Sequence, residues 1–257
     1  MTDRPIVFRA PMICALRDGR KTQTRRVLAN VPLPCGDTIH AAHLGGKLHP
    51  SPYLDSYCSE PKTTANPRGM SDRWCWWTRD NRPAETFEIG WKPGDRLWVR
   101  ERMCFDFQPE RTLSTYEADG QRVQWGNRAQ ATWLAEYPRR KSPSIHMPRW
   151  ASRATLIVTD VRVQRVQNIG EEDAIAEGVE RLRSGRGFYD PTLSRSASRA
   201  AVRVGRWFKN APTAFSVLWD SIHGVRGADA FDENPWVAAI TFRTILANID
   251  APEARAA

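Results

Sequence analysis

The chain has 257 residues, 41% of them hydrophobic and 26% charged, which is enough to bury one sizeable core. No window approaches twenty uninterrupted apolar residues, which excludes a transmembrane helix, and the first twenty residues break their apolar runs with charge, unlike a secretory signal. The 38 Lys and Arg against 29 Asp and Glu give a net charge of +9, with an isoelectric point near 9.7 and a mean hydropathy of −0.55.

Pro5–Phe8 is a short apolar run that predicts a strand. Pro11–Asp18 predicts a helix, with Met12, Ile13, Ala15 and Leu16 able to share a face and Gly19 standing where a helix end favours glycine. The polar segment GRKTQTRR (19–26) then runs into Val27 and Leu28. From Pro32 to about Pro93 no period is sustained, yet Trp74-Cys75-Trp76-Trp77 carries too much apolar surface to stay in water, so the stretch is expected to be an insertion that packs on something. Leu97–Val99 predicts a strand after the turn Pro93-Gly94-Asp95. Residues 113–135 predict a hairpin or short strands around Asp119-Gly120. Ala154–Val166 carries the clearest strand pattern, and Glu171–Glu180 reads as a helix with Glu171 and Glu172 favouring its N-terminal dipole. Residues 183–206 are Ser-, Arg- and Gly-biased and are expected to be a second, mobile insertion. Phe208–Ile222 has apolar residues at helical spacing, Pro235–Leu246 predicts a last strand, and 251–257 is expected to fray. There are no alternating βαβ units, so the fold class expected is α+β, a small mixed barrel in one domain over 1–250, and not a Rossmann sheet.

The positive charge is uneven. Residues 1–30 hold seven basic residues against two acids, 138–153 hold five with no acid, and 181–210 hold eight against one. Clustered Arg interleaved with Trp, Tyr and His suits a phosphate-bearing partner such as nucleic acid. GRKTQTRR concentrates chemistry: Thr hydroxyls that are inert until a base takes their proton, a Lys that becomes a base only if burial or neighbouring cations depress its pKa, and Arg20, Arg25 and Arg26 as cations for anions. The same segment also serves as a basic loop that grips phosphate and does no chemistry.

GRKTQTRR, PGDRLWVRE (93–101), HMPRWASR (146–153), EEDAIAEG (171–178) and NPWVAAITF (234–242) resemble the ASCH-domain family, in particular a longer form common in bacteriophages and prophages. The resemblance covers most of the chain outside about 33–90 and 183–206. It implies a PUA-like fold, a small mixed β-barrel with flanking helices, here with two long insertions. One small bacterial member of the family hydrolyses N4-acetylcytidine with a Lys, a Thr and a Glu. Its GRKT-x-T segment matches Gly19, Arg20, Lys21, Thr22 and Thr24, and its following Arg matches Arg26. Its Glu, in a helix after a β-branched strand, aligns with Glu177. The resemblance thus implies Lys21, Thr24 and Glu177 as catalytic residues, and Arg20, Thr22, Arg25 and Arg26 of the same basic segment are expected to bind substrate or nucleic acid. Other family members are proposed RNA binders or nucleases, so a non-catalytic RNA- or DNA-binding module and a ribonuclease stay open beside the hydrolase. The partner expected is a modified nucleoside or a nucleic acid, RNA before DNA, with no membrane partner and no cofactor.

His146, Arg149 and Trp150 precede the strongest strand. They suit base stacking and phosphate contact, or equally a Trp that fills the end of a barrel. Asp95, Arg100 and Glu101 read as a turn and a structural ion pair. Cys35, His40, His43, Cys58 and Cys75 lack the close paired spacing of a zinc site, and no metal is expected. Cys14 and Cys104 read as small buried hydrophobes. Five Cys without a secretory signal imply reduced thiols and a cytoplasmic location, in a bacterial host if the gene belongs to a phage.

Overall fold

The computed structural model describes residues 2–29, 31–32, 53–77, 83–107, 112–193, 195–203 and 205–255. In chain order the elements are β1 (Asp3–Val7), α1 (Ala10–Arg17), β2 (Gln23–Val27), β3 (Tyr53–Ser56), β4 (Arg73–Trp77), β5 (Pro83–Glu88), β6 (Arg96–Arg100), β7 (Met103–Phe107) and β8 (Thr112–Tyr116). There follow α2 (Arg128–Glu136), β9 (Lys141–Ser142), β10 (Thr155–Arg165), α3 (Glu171–Ala176), α4 (Arg195–Arg203), α5 (Ala211–His223), β11 (Trp236–Ile245) and α6 (Pro252–Arg255).

The principal sheet has the order β1-β6-β10-β11-β2. Only β1 and β6 are parallel; the other pairs are antiparallel. Thr155–Val158 of β10 and Val237–Ile240 of β11 are buried at every position, as central strands covered on both faces should be. One face packs Leu97, Val99, Leu156, Val158, Ala238, Ile240 and Phe242 against Ile13 and Leu16 of α1. The other packs Val237 against Ala174 of α3 and Ala211, Ala214, Phe215 and Leu218 of α5. Each large side chain so buried contributes about 1.5–3 kcal/mol.

The architecture is mixed α+β with three sheets, and among the described residues none is closed into a barrel. This corrects the expected closed barrel. β1 and β2 are the two edges of the principal sheet, and a side chain joins them where main-chain pairing does not: Arg26 on β2 donates through Nη2 to the Val7 carbonyl of β1 at 2.7 Å.

The region expected to be an insertion without period contains the antiparallel sheet β3-β4-β5. Its central strand is the Trp cluster itself, with Trp74, Cys75 and Trp76 all buried, so no alternation marks it in the sequence. Met70, Trp74 and Ile89 join the core under α1, which fastens this sheet to the principal one. The third sheet, β8-β7-β9, packs Met103, Phe105 and Tyr116 on Leu134 of α2. The hairpin expected over 113–135 is half right. Asp119-Gly120 makes a turn, with Gly120 donating to the Tyr116 carbonyl, but Arg128–Glu136 is a helix, capped by the Asn127 side chain accepting from Gln130 N at 3.0 Å.

The second expected insertion is anchored where it is described. Phe188 is buried and pairs with Phe208 through the backbone, and buried Asp190 accepts from Arg206 Nε at 3.0 Å. The tail is also anchored to residue 255: Ala254 is buried and its carbonyl accepts from Arg96.

Candidate functional site

β2 is an edge strand, and the turn after α3 covers part of that edge. The Thr22 amide donates to the Ala176 carbonyl at 2.8 Å, which sets Lys21 and Glu177 side by side. Gly178 permits this approach. Its φ is +106°, and a Cβ there would stand 3.1 Å from the Ala15 Cβ and 3.7 Å from the Lys21 Cβ.

Lys21 is fully buried and gives its three N–H bonds to the Gln23 carbonyl at 2.8 Å, the Glu177 carbonyl at 2.9 Å and Glu177 Oε2 at 2.8 Å. Burial pushes the amine below its usual value; the Glu177 carboxylate opposes that push, and Arg26 and Arg25 add to it. The other Glu177 oxygen accepts from Arg25 Nη1 at 3.1 Å. Arg25 also donates to Gln23 Oε1 at 2.6 Å and to Asp173 Oδ2 at 2.8 Å, and its guanidinium lies over the Phe215 ring. Asp173 accepts from Arg162 as well, at 2.9 Å. Burial works against ionisation of Asp173, but the Arg162 and Arg25 guanidiniums outweigh it and hold the carboxyl below its usual value. The result is a network of two carboxylates and three cations, of the kind that fixes a geometry more than it adds stability.

Beside this network lies a cavity of about 230 Å³, in the gap between the two sheet edges. Val7 of β1, Thr24, Arg25 and Arg26 of β2, Glu177, Arg9 and Met12 at the start of α1, and Phe215, Trp219 and His223 of α5 line it. The structure thus brings together Thr24, Glu177, Arg25 and Arg26 on one wall, with Lys21 sealed behind Glu177. Lys21 is not a lining residue, and among the described residues no hydrogen bond joins its amine to the Thr24 hydroxyl. A larger cleft of about 590 Å³ shares Met12, Glu177 and Leu218 with this cavity and is lined further by Ala10, Cys14 and Arg17 of α1.

The other residues singled out in the sequence lie elsewhere. Arg20 lines the larger cleft, where it binds the Gly178 carbonyl and Asp18. Thr22 is exposed and takes part through its backbone. His146 is exposed on a short turn. Arg149 is held by Asp3 and Asp250 at 2.6 and 2.8 Å, and these carboxylates raise its pKa. Trp150 packs edge-on against Trp133 in the third core. Neither cavity includes these last three residues; Arg149 ties Asp3 to Asp250 and Trp150 packs in the third core. Glu101 pairs with Arg153 at 2.7 Å, not with Arg100. Asp95 accepts from the Thr2 and Lys92 amides, as a turn residue does. Cys14 and Cys104 are only half-buried; Cys75 is the buried thiol. Among the described residues no three His, Cys, Asp or Glu gather to hold a metal, and Cys35, His40 and His43 lie outside them.

Sequence reasoning missed Gln23, Asp173, Phe215, Trp219 and His223. Asp173 had a signal, an acid one turn before Glu177. The α5 residues had none, because nothing local in PTAFSVLWDSIH says that it faces a strand nearly two hundred residues away.

Comparison with family models, with curated proteins and with solved structures gives no match to this chain, so its likeness to ASCH proteins rests on the five motifs alone.

Proposed function

We propose that the chain is a PUA-like protein of the ASCH type that takes a nucleobase into the cavity at the β2 edge and hydrolyses the amide of an N4-acylated cytidine there. One observation carries this reading. Thr24 and Glu177 share a wall of a cavity of about 230 Å³, with the Lys21 amine 2.8 Å behind the carboxylate. The volume falls below the roughly 300–1,000 Å³ of sites for drug-sized ligands, so it suits a base and leaves sugar and phosphate outside. Arg26 and Arg25 set positive charge on the wall where an amide oxygen would become an oxyanion. The products are cytidine and acetate, one water being consumed. Lys21 acts through Glu177, because its three N–H bonds are all taken.

The second reading is a non-catalytic RNA- or DNA-binding module. The pairing of both Glu177 oxygens with cations favours it, since a satisfied network also makes a rigid binding wall. Ultraviolet absorbance during incubation with N4-acetylcytidine separates the two. The hydrolase reading expects turnover by the wild type that changes little between low and moderate salt and is lost in Lys21→Ala. In Thr24→Val, retained turnover assigns the attack to water and lost turnover assigns it to the Thr24 hydroxyl. No turnover, with oligonucleotide affinity falling steeply as salt rises, would transfer the site to the binding reading.

A further inference from the structure

We propose that His223 is the proton-transfer residue of the β2-edge cavity. It takes the proton from the attacking hydroxyl and returns it to the leaving N4 amine, while Lys21 and Glu177 position the wall.

The cavity holds few groups able to accept a proton. Lys21 is fully buried, lines no part of the cavity and has spent its three N–H bonds. Glu177 is a lining residue, but one carboxylate oxygen is held by Lys21 and the other by Arg25. His223 lines the same cavity as Thr24, is half-buried, and among the described residues neither ring nitrogen has a hydrogen-bond partner. Its place is set with care. The imidazole stacks on Trp219 with centroids 4.2 Å apart and planes 24° from parallel. Trp219 is itself pinned, its Nε1 donating to the Asp229 carbonyl at 2.7 Å. The end of α5 is held from outside by Arg9, which donates to the Ser221 carbonyl at 2.7 Å and the Ile222 carbonyl at 3.3 Å. A histidine stacked at a fixed helix end, lining the same cavity as Thr24, Arg25 and Arg26, has the parts a general base needs.

Its surroundings keep it unprotonated near neutrality. Burial pushes the imidazole below its usual value of 6.5, with Arg26 of β2 and Arg9 before α1 adding to the push. Asp229 and Asp220 oppose it. Arg25 and Glu177 complete the charged groups of the cavity.

The step balances. As the oxygen of Thr24, or of water, bonds to the acetyl carbon, its proton passes to a ring nitrogen of His223. The bond from carbon to N4 then breaks, N4 takes that proton, and cytidine leaves. If the acetyl group is on Thr24, water attacks the ester through the same histidine and releases acetate.

The proposal rests on the hydrolase reading, and the test separates their failures. N4-acetylcytidine turnover is measured from pH 5 to 8 for the wild type, His223→Gln and Trp219→Phe. The expected wild-type kcat/KM falls as pH drops below the ordinary histidine range, because protonation disables the base. His223→Gln is expected to lose about 10²- to 10⁴-fold in kcat with KM little changed, and its acid limb should vanish. Trp219→Phe is expected to keep the limb and lose less. Wild-type turnover matched by His223→Gln, with the same acid limb, overturns the role of His223 alone. No wild-type turnover at any pH overturns the hydrolase reading and this inference with it.

Discussion

Gly178 lies where Lys21 and Glu177 meet, and its backbone conformation is one that side chains with a Cβ resist. Gly178→Ala must hold φ near +106° and place a methyl 3.1 Å from the Ala15 Cβ. A loss of ~1–3 kcal/mol is expected, read as a lower urea midpoint at unchanged m-value. Asp173 gives a second expectation, in pH. Its folded pKa lies below the ordinary 3.8, so its contribution to stability is complete above that value and is lost as pH falls through the lower folded one. Urea midpoints should therefore drop in the wild type as pH falls below the ordinary aspartate value, and Asp173→Asn should flatten part of that slope. At this scale the sequence was most informative. GRKTQTRR and AEG lie at one site, with Lys21, Thr24, Arg25, Arg26 and Glu177 adjacent. The order of those residues in space was not legible: that Lys21 stands behind Glu177 and out of the cavity follows from burial, which no motif encodes.

α5 shows what an element adds. Its start is capped by Asn210 accepting from Thr213 N at 2.9 Å, and Gly224 ends it with φ +92°. Between these it presents Phe215 and Trp219 to the cavity and Ala211 and Ala214 to α3. The small residues let the helices meet closely, and Phe215 also lies under the Arg25 guanidinium. Phe215→Ala should cost ~3–5 kcal/mol by calorimetry or urea titration, and it should enlarge the cavity that Phe215 lines. β10 and β11 were legible from their β-branched runs, and α1 and α5 from an apolar stripe at helical spacing. β2 was not, because QTRRV is an edge strand whose polar side chains are buried by pairing with Glu177 and Asp173. β4 was not, because its Trp and Cys are buried in succession without alternation. In both cases tertiary contacts overrode the local pattern.

For the whole molecule, the basic segments change meaning once folded. Arg17, Arg20, Lys21 and Arg25 of the first, Lys141, Arg149 and Arg153 of the second, and Arg181 and Arg206 of the third are paired with carboxylates. Much of the local positive charge that pointed to a polymer backbone is thereby neutralised in place. Arg149 and Arg96 converge on Asp3, and Arg149 also holds Asp250, so Asp3 near one end of the chain and Asp250 near the other are tied together and, through Arg96, to β6. Exposed pairs of this sort add little each, so the molecule's stability rests on its three cores. What remains in excess is a net +9 over the chain.

The proposed chemistry of the base-sized cavity between the two sheet edges is amide hydrolysis. Its most direct measurement is N4-acetylcytidine turnover by the purified wild type against Glu177→Gln, with folding of both checked by circular dichroism. Saturable release of cytidine and acetate by the wild type is expected, with a loss of at least about 10²-fold in the folded Glu177→Gln protein. Equal turnover by the two proteins, or none by the wild type, would contradict it.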